Sequence, residues 1–105
     1  MTDPDTILDA MRDAGPKLEG LGYCVRFDLI DAGQSYLLDG TVTPVAVGAA
    51  DAESAADTVL AMTSDNLGKL MAGKLSPMMA VVMGKLKIDG SKTAALKLAG
   101  MLGQG

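Results

Sequence analysis

Residues 73–90 read GKLSPMMAVVMGKLKIDG, and this stretch decides the fold. Two copies of Gly-Lys-Leu, at Gly73 to Leu75 and Gly84 to Leu86, bracket a wholly apolar segment that begins at Pro77. Glycine after an apolar run takes the left-handed backbone that ends a helix, and Ser-Pro starts one, so the pattern predicts a short helix held between two stops. Working outward, Lys85 to Asp89 alternates as a strand, and after Gly90 a last helix carries Ala95, Leu96, Ala99 and Leu102 on one face, with Leu98 and Met101 beside it. On the other side, Thr63 or Ser64 caps a helix that carries Leu67, Leu70 and Met71 and stops at Gly73.

The remaining pattern is of mixed type. Asp3-Pro4 opens a helix with Ile7, Leu8, Met11 and Ala14 at helical spacing, and Gly15-Pro16 ends or kinks it. Tyr23, Val25, Phe27 and Leu29 alternate with Cys24, Arg26, Asp28 and Ile30, the period of a strand with one buried face. Ser35 to Leu38 and Thr41 to Val47 are two further strands around a tight Asp39-Gly40 turn, and Pro44 places the latter at a sheet edge. Gly48 to Ala56 reads as a loop or crossover into a strand at Thr58 to Met62. Helix, three strands, crossover, strand, two helices, strand, helix predicts an α+β fold in which one sheet is backed by helices. At 105 residues a single domain, 1–105, is expected.

A third Gly-Lys-Leu, at Gly68 to Leu70, raises a competing reading, because Gly68 to Lys74 matches the Gly-x4-Gly-Lys core of a phosphate-binding loop. The context defeats it. Such a loop follows a strand, opens a helix and ends in a hydroxyl residue, whereas here Gly73 closes a helix and Leu75 holds the hydroxyl position.

Composition excludes other chemistry. There is no histidine, which removes the commonest general base and metal ligand, and the lone Cys24 builds neither a disulfide nor a thiolate metal site. Asp51, Glu53 and Asp57 lack the glycine and spacing of a calcium loop. Cys24 lies on a strand between Tyr23 and Val25, where a cysteine is more often a small packing residue than a nucleophile. No metal, cofactor or catalytic residue is expected, and the chain reads as a non-enzyme. Three rings and an acidic balance argue against nucleic acid. No apolar run approaches the ~20 residues of a membrane span, and no signal peptide is legible, so a soluble, cytoplasmic protein is expected.

Charge is unevenly spread. Residues 1–65 carry twelve acids against Arg12, Lys17 and Arg26, a net of −9, whereas residues 66–105 carry Asp89 against six lysines, a net of +5. Lys69, Lys74, Lys85, Lys87, Lys92 and Lys97 are therefore candidates for contact with an anionic membrane surface, and equally for a solvated face that balances the acidic half. Fifteen alanines and eight methionines make the apolar content aliphatic and pliable.

The run from Gly73 to Gly90, with Leu96-Lys-Leu98 behind it, closely resembles the signature of the sterol carrier protein type 2 family. The order of elements matches: Gly-Lys-Leu, a Pro-led apolar helix, a second Gly-Lys-Leu, a Lys-bearing strand ending in glycine, and a final apolar helix. Upstream, Tyr23 to Val47 and Ala56-Asp57 entering a strand are also similar, so the resemblance covers nearly the whole chain and is strongest from Asp57 to Leu98. It implies a five-stranded mixed, largely antiparallel sheet covered by helices around an apolar tunnel, and a carrier of fatty acid, acyl-coenzyme A, isoprenoid, phospholipid or sterol. By position it implies a lining of Phe27, Leu29, Met71, Leu75, Met78, Met79, Val82, Met83, Leu98 and Met101. The methionines suit a flexible chain better than a rigid sterol. A second expectation is an interaction or accessory subunit that docks through its apolar C-terminal helix, with a homodimer as one such case.

Overall fold

The computed structural model describes residues 4–51 and 53–102. Helix α1, Pro4–Ala14, runs directly into a 3-10 turn, Gly15–Leu18, and the Asp3 cap expected for it lies outside the described residues. Strands β1 (Cys24–Leu29), β2 (Gln34–Asp39), β3 (Ala46–Ala50), β4 (Thr58–Met62) and β5 (Lys87–Gly90) form one sheet in the order β3-β2-β1-β4-β5. β1 and β4 are parallel and the other pairs antiparallel, so the sheet is mixed. Helices α2 (Ser64–Met71) and α3 (Pro77–Val82) join β4 to β5, and α4 (Lys92–Met101) follows.

The alternation in β1 sets the two faces of this sheet. Val25, Phe27 and Leu29 are buried, and their register partners Leu38, Tyr36, Leu60 and Met62 are buried with them. Met11, Leu18, Leu67, Leu70, Leu98 and Leu102 complete the core from the helical side. Arg26, Asp28 and Ser35 stand on the opposite face, half-buried. There the Arg26 guanidinium donates to both Asp28 carboxylate oxygens at 2.9 and 3.1 Å and to the Ser54 carbonyl at 3.0 Å, which ties the crossover to the sheet. One face is therefore apolar and covered by helices, while the other mixes Arg26, Asp28 and Ser35 with Leu37, Val59 and Ala61.

Helix ends follow local chemistry. The Thr63 hydroxyl accepts from the Asn66 amide at 3.3 Å, and the Ser91 hydroxyl from the Ala94 amide at 3.1 Å, so α2 and α4 each have a hydroxyl cap. Asp31, in the β1–β2 turn, accepts from the Ser64 amide at 2.9 Å and hydroxyl at 3.0 Å; these donors hold its carboxyl below the usual carboxylate range. At the other end of α2 the Lys74 amide donates to the Lys69 carbonyl at 2.8 Å and the Gly73 amide to Leu70 at 3.2 Å. α3 ends in the same way, Lys85 donating to Ala80 at 2.8 Å and Gly84 to Val81 at 3.1 Å. Gly73 and Gly84 have φ of +76° and +75°. Both are Schellman stops, so two of the three Gly-Lys-Leu repeats build one motif twice, while Gly68 to Leu70 lies within α2.

The third strand departs from expectation. Asp39 pairs with Ala46, and residues 40–45 form a loop in place of a two-residue turn, with a cis peptide at Thr43-Pro44. Pro44 thus sits in the loop, although β3 is indeed an edge strand. Gly40 does not supply a positive φ. Its amide donates to the Tyr23 carbonyl and its own carbonyl accepts from Gly22, both at 2.9 Å, extending the β1 side of the ladder. A Cβ there would lie 2.7 Å from that of Leu21, so the glycine answers to close approach.

Gly90 combines both demands. Its φ is +90°, and an added Cβ would lie 2.8 Å from the Asp57 carbonyl oxygen and 3.2 Å from Thr58 Cα, backbone atoms that cannot rotate away. Gly90→Ala is expected to lower the unfolding free energy by about 2 kcal/mol, read as a fall in the urea midpoint. An unchanged midpoint would mean that the β4–β5 end yields freely.

Candidate functional site

β4 and β5 present Leu60 and Ile88 as register partners on the helix-covered face. Over them lie α3 and α4, and the four elements enclose a small apolar cavity. Leu60, Leu70, Pro77, Met78, Val81, Leu86, Ile88, Ala95, Leu96, Leu98 and Ala99 line it, and its volume is about 20 Å³, room for roughly one water molecule. It adjoins an open groove of about 550 Å³ bordered by Met78, Val81, Leu86, Lys87, Ile88, Lys92 and Leu96. That volume lies within the range of small-molecule pockets, whereas the enclosed part does not.

Of the lining anticipated from sequence, Met78 and Leu98 meet at the cavity. Phe27, Leu29 and Met71 are buried in the core, with Phe27 the register partner of Leu60, and Leu75 and Met101 are half-buried against it. Met79, Val82 and Met83 are more than half exposed, on the outer side of α3. Only Pro77 and Ala80 of α3 are buried; Met78 and Val81 border the cavity while partly exposed. Sequence reasoning overlooked Leu60, Ile88 and Ala95 as lining residues. Their signals were present: Ile88 alternates with Lys87 and Asp89, and Leu60 sits mid-strand between Val59 and Ala61.

The six lysines are all exposed. Lys74 and Lys85 occupy the two Schellman turns at either end of the α3 segment, Lys87 and Lys92 border the groove, Lys69 is on α2, and Lys97 holds its ammonium 5.7 Å from the centroid of the Tyr23 ring. On α4, Ala94, Ala95 and Leu98 are buried, and Leu102 just beyond it is buried too, so most of the apolar face proposed for docking is packed within the fold.

Polar chemistry is sparse around the cavity. Among the described residues no three His, Cys, Asp or Glu side chains are placed to hold a metal ion. Cys24 Sγ lies 3.5 Å from Asp39 Oδ1. Desolvation first, and then the hydrogen bond and charge of Asp39 with a smaller push from Asp57, raise its thiol pKa above the ordinary value. Asp39 itself is held below the usual carboxylate range by the Thr41 hydroxyl and amide. Cys24 is accordingly expected to react with iodoacetamide at pH 8 more slowly than free cysteine, and Asp39→Asn to speed the reaction. Alkylation at the rate of free cysteine would contradict this.

Comparison with known proteins agrees with this fold. The model of the family described as "SCP-2 sterol transfer family" matches residues 5–103. Human hydroxysteroid dehydrogenase-like protein 2 is 43% identical over 58 residues, which are 55% of this chain and 14% of that protein, so the match spans a small part of its curated relative. In fold, the chain is similar to apo sterol carrier protein 2 of Yarrowia lipolytica, with a TM-score of 0.70 at 23% identity over 92% of this chain and 87% of that one. It is similar also to palmitated SCP2L2 of Aedes aegypti, with a TM-score of 0.72 at 16% identity over 99% and 96% of the two chains. Among the described residues no helix is long and apolar enough to cross a membrane.

Proposed function

The chain belongs to the SCP-2 sterol transfer family, and on that premise we propose that it carries one flexible acyl-type lipid between α3, α4 and the β4–β5 part of the sheet. The observation that carries the reading is the wholly apolar cavity beneath α3, continuous in its lining with the open groove. A chain seated there would rest on Leu60, Leu70, Ile88 and Leu98. Because the enclosed volume is only about 20 Å³, α3 must lift to admit it. The helix is suited to that movement. Pro77 and Ala80 are its only buried residues, and glycine turns lie on both sides. Met71, Leu75 and Met101 stand close enough in the core to extend the chamber once α3 has moved, and their unbranched or aliphatic side chains repack readily.

Palmitate in a neighbour of the same fold supports a fatty-acyl cargo over a sterol. So does the scarcity of rings, since the chain holds only Tyr23, Phe27 and Tyr36. The carrier is read as non-catalytic, with the Cys24 thiol pKa pushed up by burial and by Asp39 and no histidine to act as base. A cytoplasmic location fits the single reduced cysteine.

Native mass spectrometry after gentle purification tests the proposal. One co-purified apolar molecule per chain, or micromolar binding of a fluorescent fatty acid to the delipidated protein, is expected. Ala99→Phe, which fills the cavity from α4, is expected to weaken that binding at least about tenfold. Neither lipid nor uptake in the unaltered chain would overturn the carrier reading.

A further inference from the structure

Helix α3 leaves its large apolar residues largely exposed. Met78, Met79, Val82 and Met83 are 52%, 54%, 78% and 53% exposed, and Leu96 of α4, at 54%, borders the same groove as Met78. Single exposed apolar side chains are ordinary on a protein surface; a cluster of five around one six-residue helix is a patch that marks an interaction. The charge around this patch has one sign. Lys74 and Lys85 lie at the two ends of the helical segment and Lys87 and Lys92 along the groove, all exposed, and none of the four has an ion-pair partner among the described residues. The nearest acid in sequence, Asp89, does not border the groove, whereas Lys87, in the same phase of β5, does.

From this juxtaposition we infer that α3 is a docking element for the surface of an anionic phospholipid bilayer. Its methionines and Val82 enter the acyl boundary while the four lysines meet the headgroups. The shape favours a bilayer over a folded partner. α3 offers flexible thioethers beside Val82, which suit a fluid surface that closes around them, and no rigid aromatic anchor of the kind that dominates protein interfaces. Docking in this pose deepens the carrier reading, because it sets the groove and the cavity mouth against the membrane and offers α3 an apolar place to move into. The docking stands or falls separately from the cargo.

Co-sedimentation of the full chain with vesicles of phosphatidylcholine, with and without added phosphatidylglycerol, tests the inference. Binding is expected only with the anionic lipid and should weaken as salt rises. Val82→Glu is expected to weaken it at least about tenfold with an unchanged circular dichroism spectrum, since that side chain is already exposed. The double change Lys74→Gln and Lys85→Gln should weaken it about thirtyfold, from the usual contribution of a lysine at a charged membrane. Arg12→Gln, on α1, which packs against α2 and against β3 at the opposite edge of the sheet from β5, should change it less than about twofold. Failure to bind anionic vesicles overturns the inference, and so does binding that is indifferent to the α3 changes or is lost only with Arg12→Gln. Concentration-dependent dimerisation abolished by Val82→Glu, without vesicle binding, would overturn it too and make the patch a self-interface. Uptake of a fluorescent fatty acid by the unaltered chain without vesicles reports on the carrier reading independently.

Discussion

Phe27→Ala is expected to lower the unfolding free energy by about 3 to 5 kcal/mol. Phe27 is fully buried at the middle of β1, the strand between β2 and β4, and its register partners Tyr36 and Leu60 are buried on the same face. It is also the only phenylalanine in the chain. Truncation removes the ring's transfer free energy and leaves a void whose walls cannot fully collapse, because the strand backbones on both sides are fixed by ladder hydrogen bonds. The neighbours decide where in the range the loss falls. Met11, Met62 and Met71 share this core and can swing into a vacated space, which favours the lower end. Stabilities of small domains are about 5 to 15 kcal/mol, so the variant should remain folded but with a urea midpoint far below that of the parent and an unchanged slope. Phe27→Leu should recover most of the loss. A cost below about 1 kcal/mol would mean that the sheet and helices move together to close the gap, a softer core than the packing implies.

Elements with strong period were legible from sequence and those without it were not. β1 declares itself through Tyr23, Val25, Phe27 and Leu29 alternating with polar residues, and β5 through Ile88 between Lys87 and Asp89. β3 is Ala-Val-Gly-Ala-Ala, in which every residue but Val47 disfavours strands, and it exists because β2 offers an open edge to pair with. Its start was misplaced for a related reason. Asp39-Gly40 carries the composition of a tight hairpin, but the Asp39 carboxylate accepts from the Thr41 amide and hydroxyl, which opens a longer loop. Lys85 and Leu86, assigned by alternation to β5, instead finish α3, since both amides reach back to the Ala80 carbonyl. That distinction lies in backbone geometry that alternation cannot report.

The site was legible as a region and not as a surface. Pro77 to Val82 is apolar at every position, so periodicity carries no information about which side of α3 faces inward. The choice falls to geometry: a helix of six residues between two Schellman turns can seat only a narrow stripe, and Pro77 and Ala80 are small enough to let it lie close to the sheet. The larger methionines are displaced outward. Resemblance points to this segment but supplies no side-chain directions; Met78 and Leu98 meet at the cavity, while Met79, Val82 and Met83 stand outside it.

A saturating long-chain fatty acid is expected to raise the melting temperature by roughly 10 to 20 °C. Burying a methylene contributes about 0.8 kcal/mol, hence roughly 12 for sixteen carbons, and association together with displacement of α3 removes several. A net of about 8 corresponds to micromolar affinity. Ligand present at about a hundred times that dissociation constant stabilises the folded form by about 2.7 kcal/mol, and each kcal/mol moves the midpoint of a domain of this size by roughly 4 to 8 °C. Chain length separates a chamber from mere adsorption. An eight-carbon acid at equal concentration loses about 6 kcal/mol of the burial and should leave the midpoint unmoved. Ala99→Phe should also abolish the shift, because its ring occupies the space between α4 and the β4–β5 pair that the chain would enter. Equal shifts from short and long acids, or a shift that survives Ala99→Phe, would place the lipid on the outside of the protein, against α3 and Leu96, with the cavity playing no part.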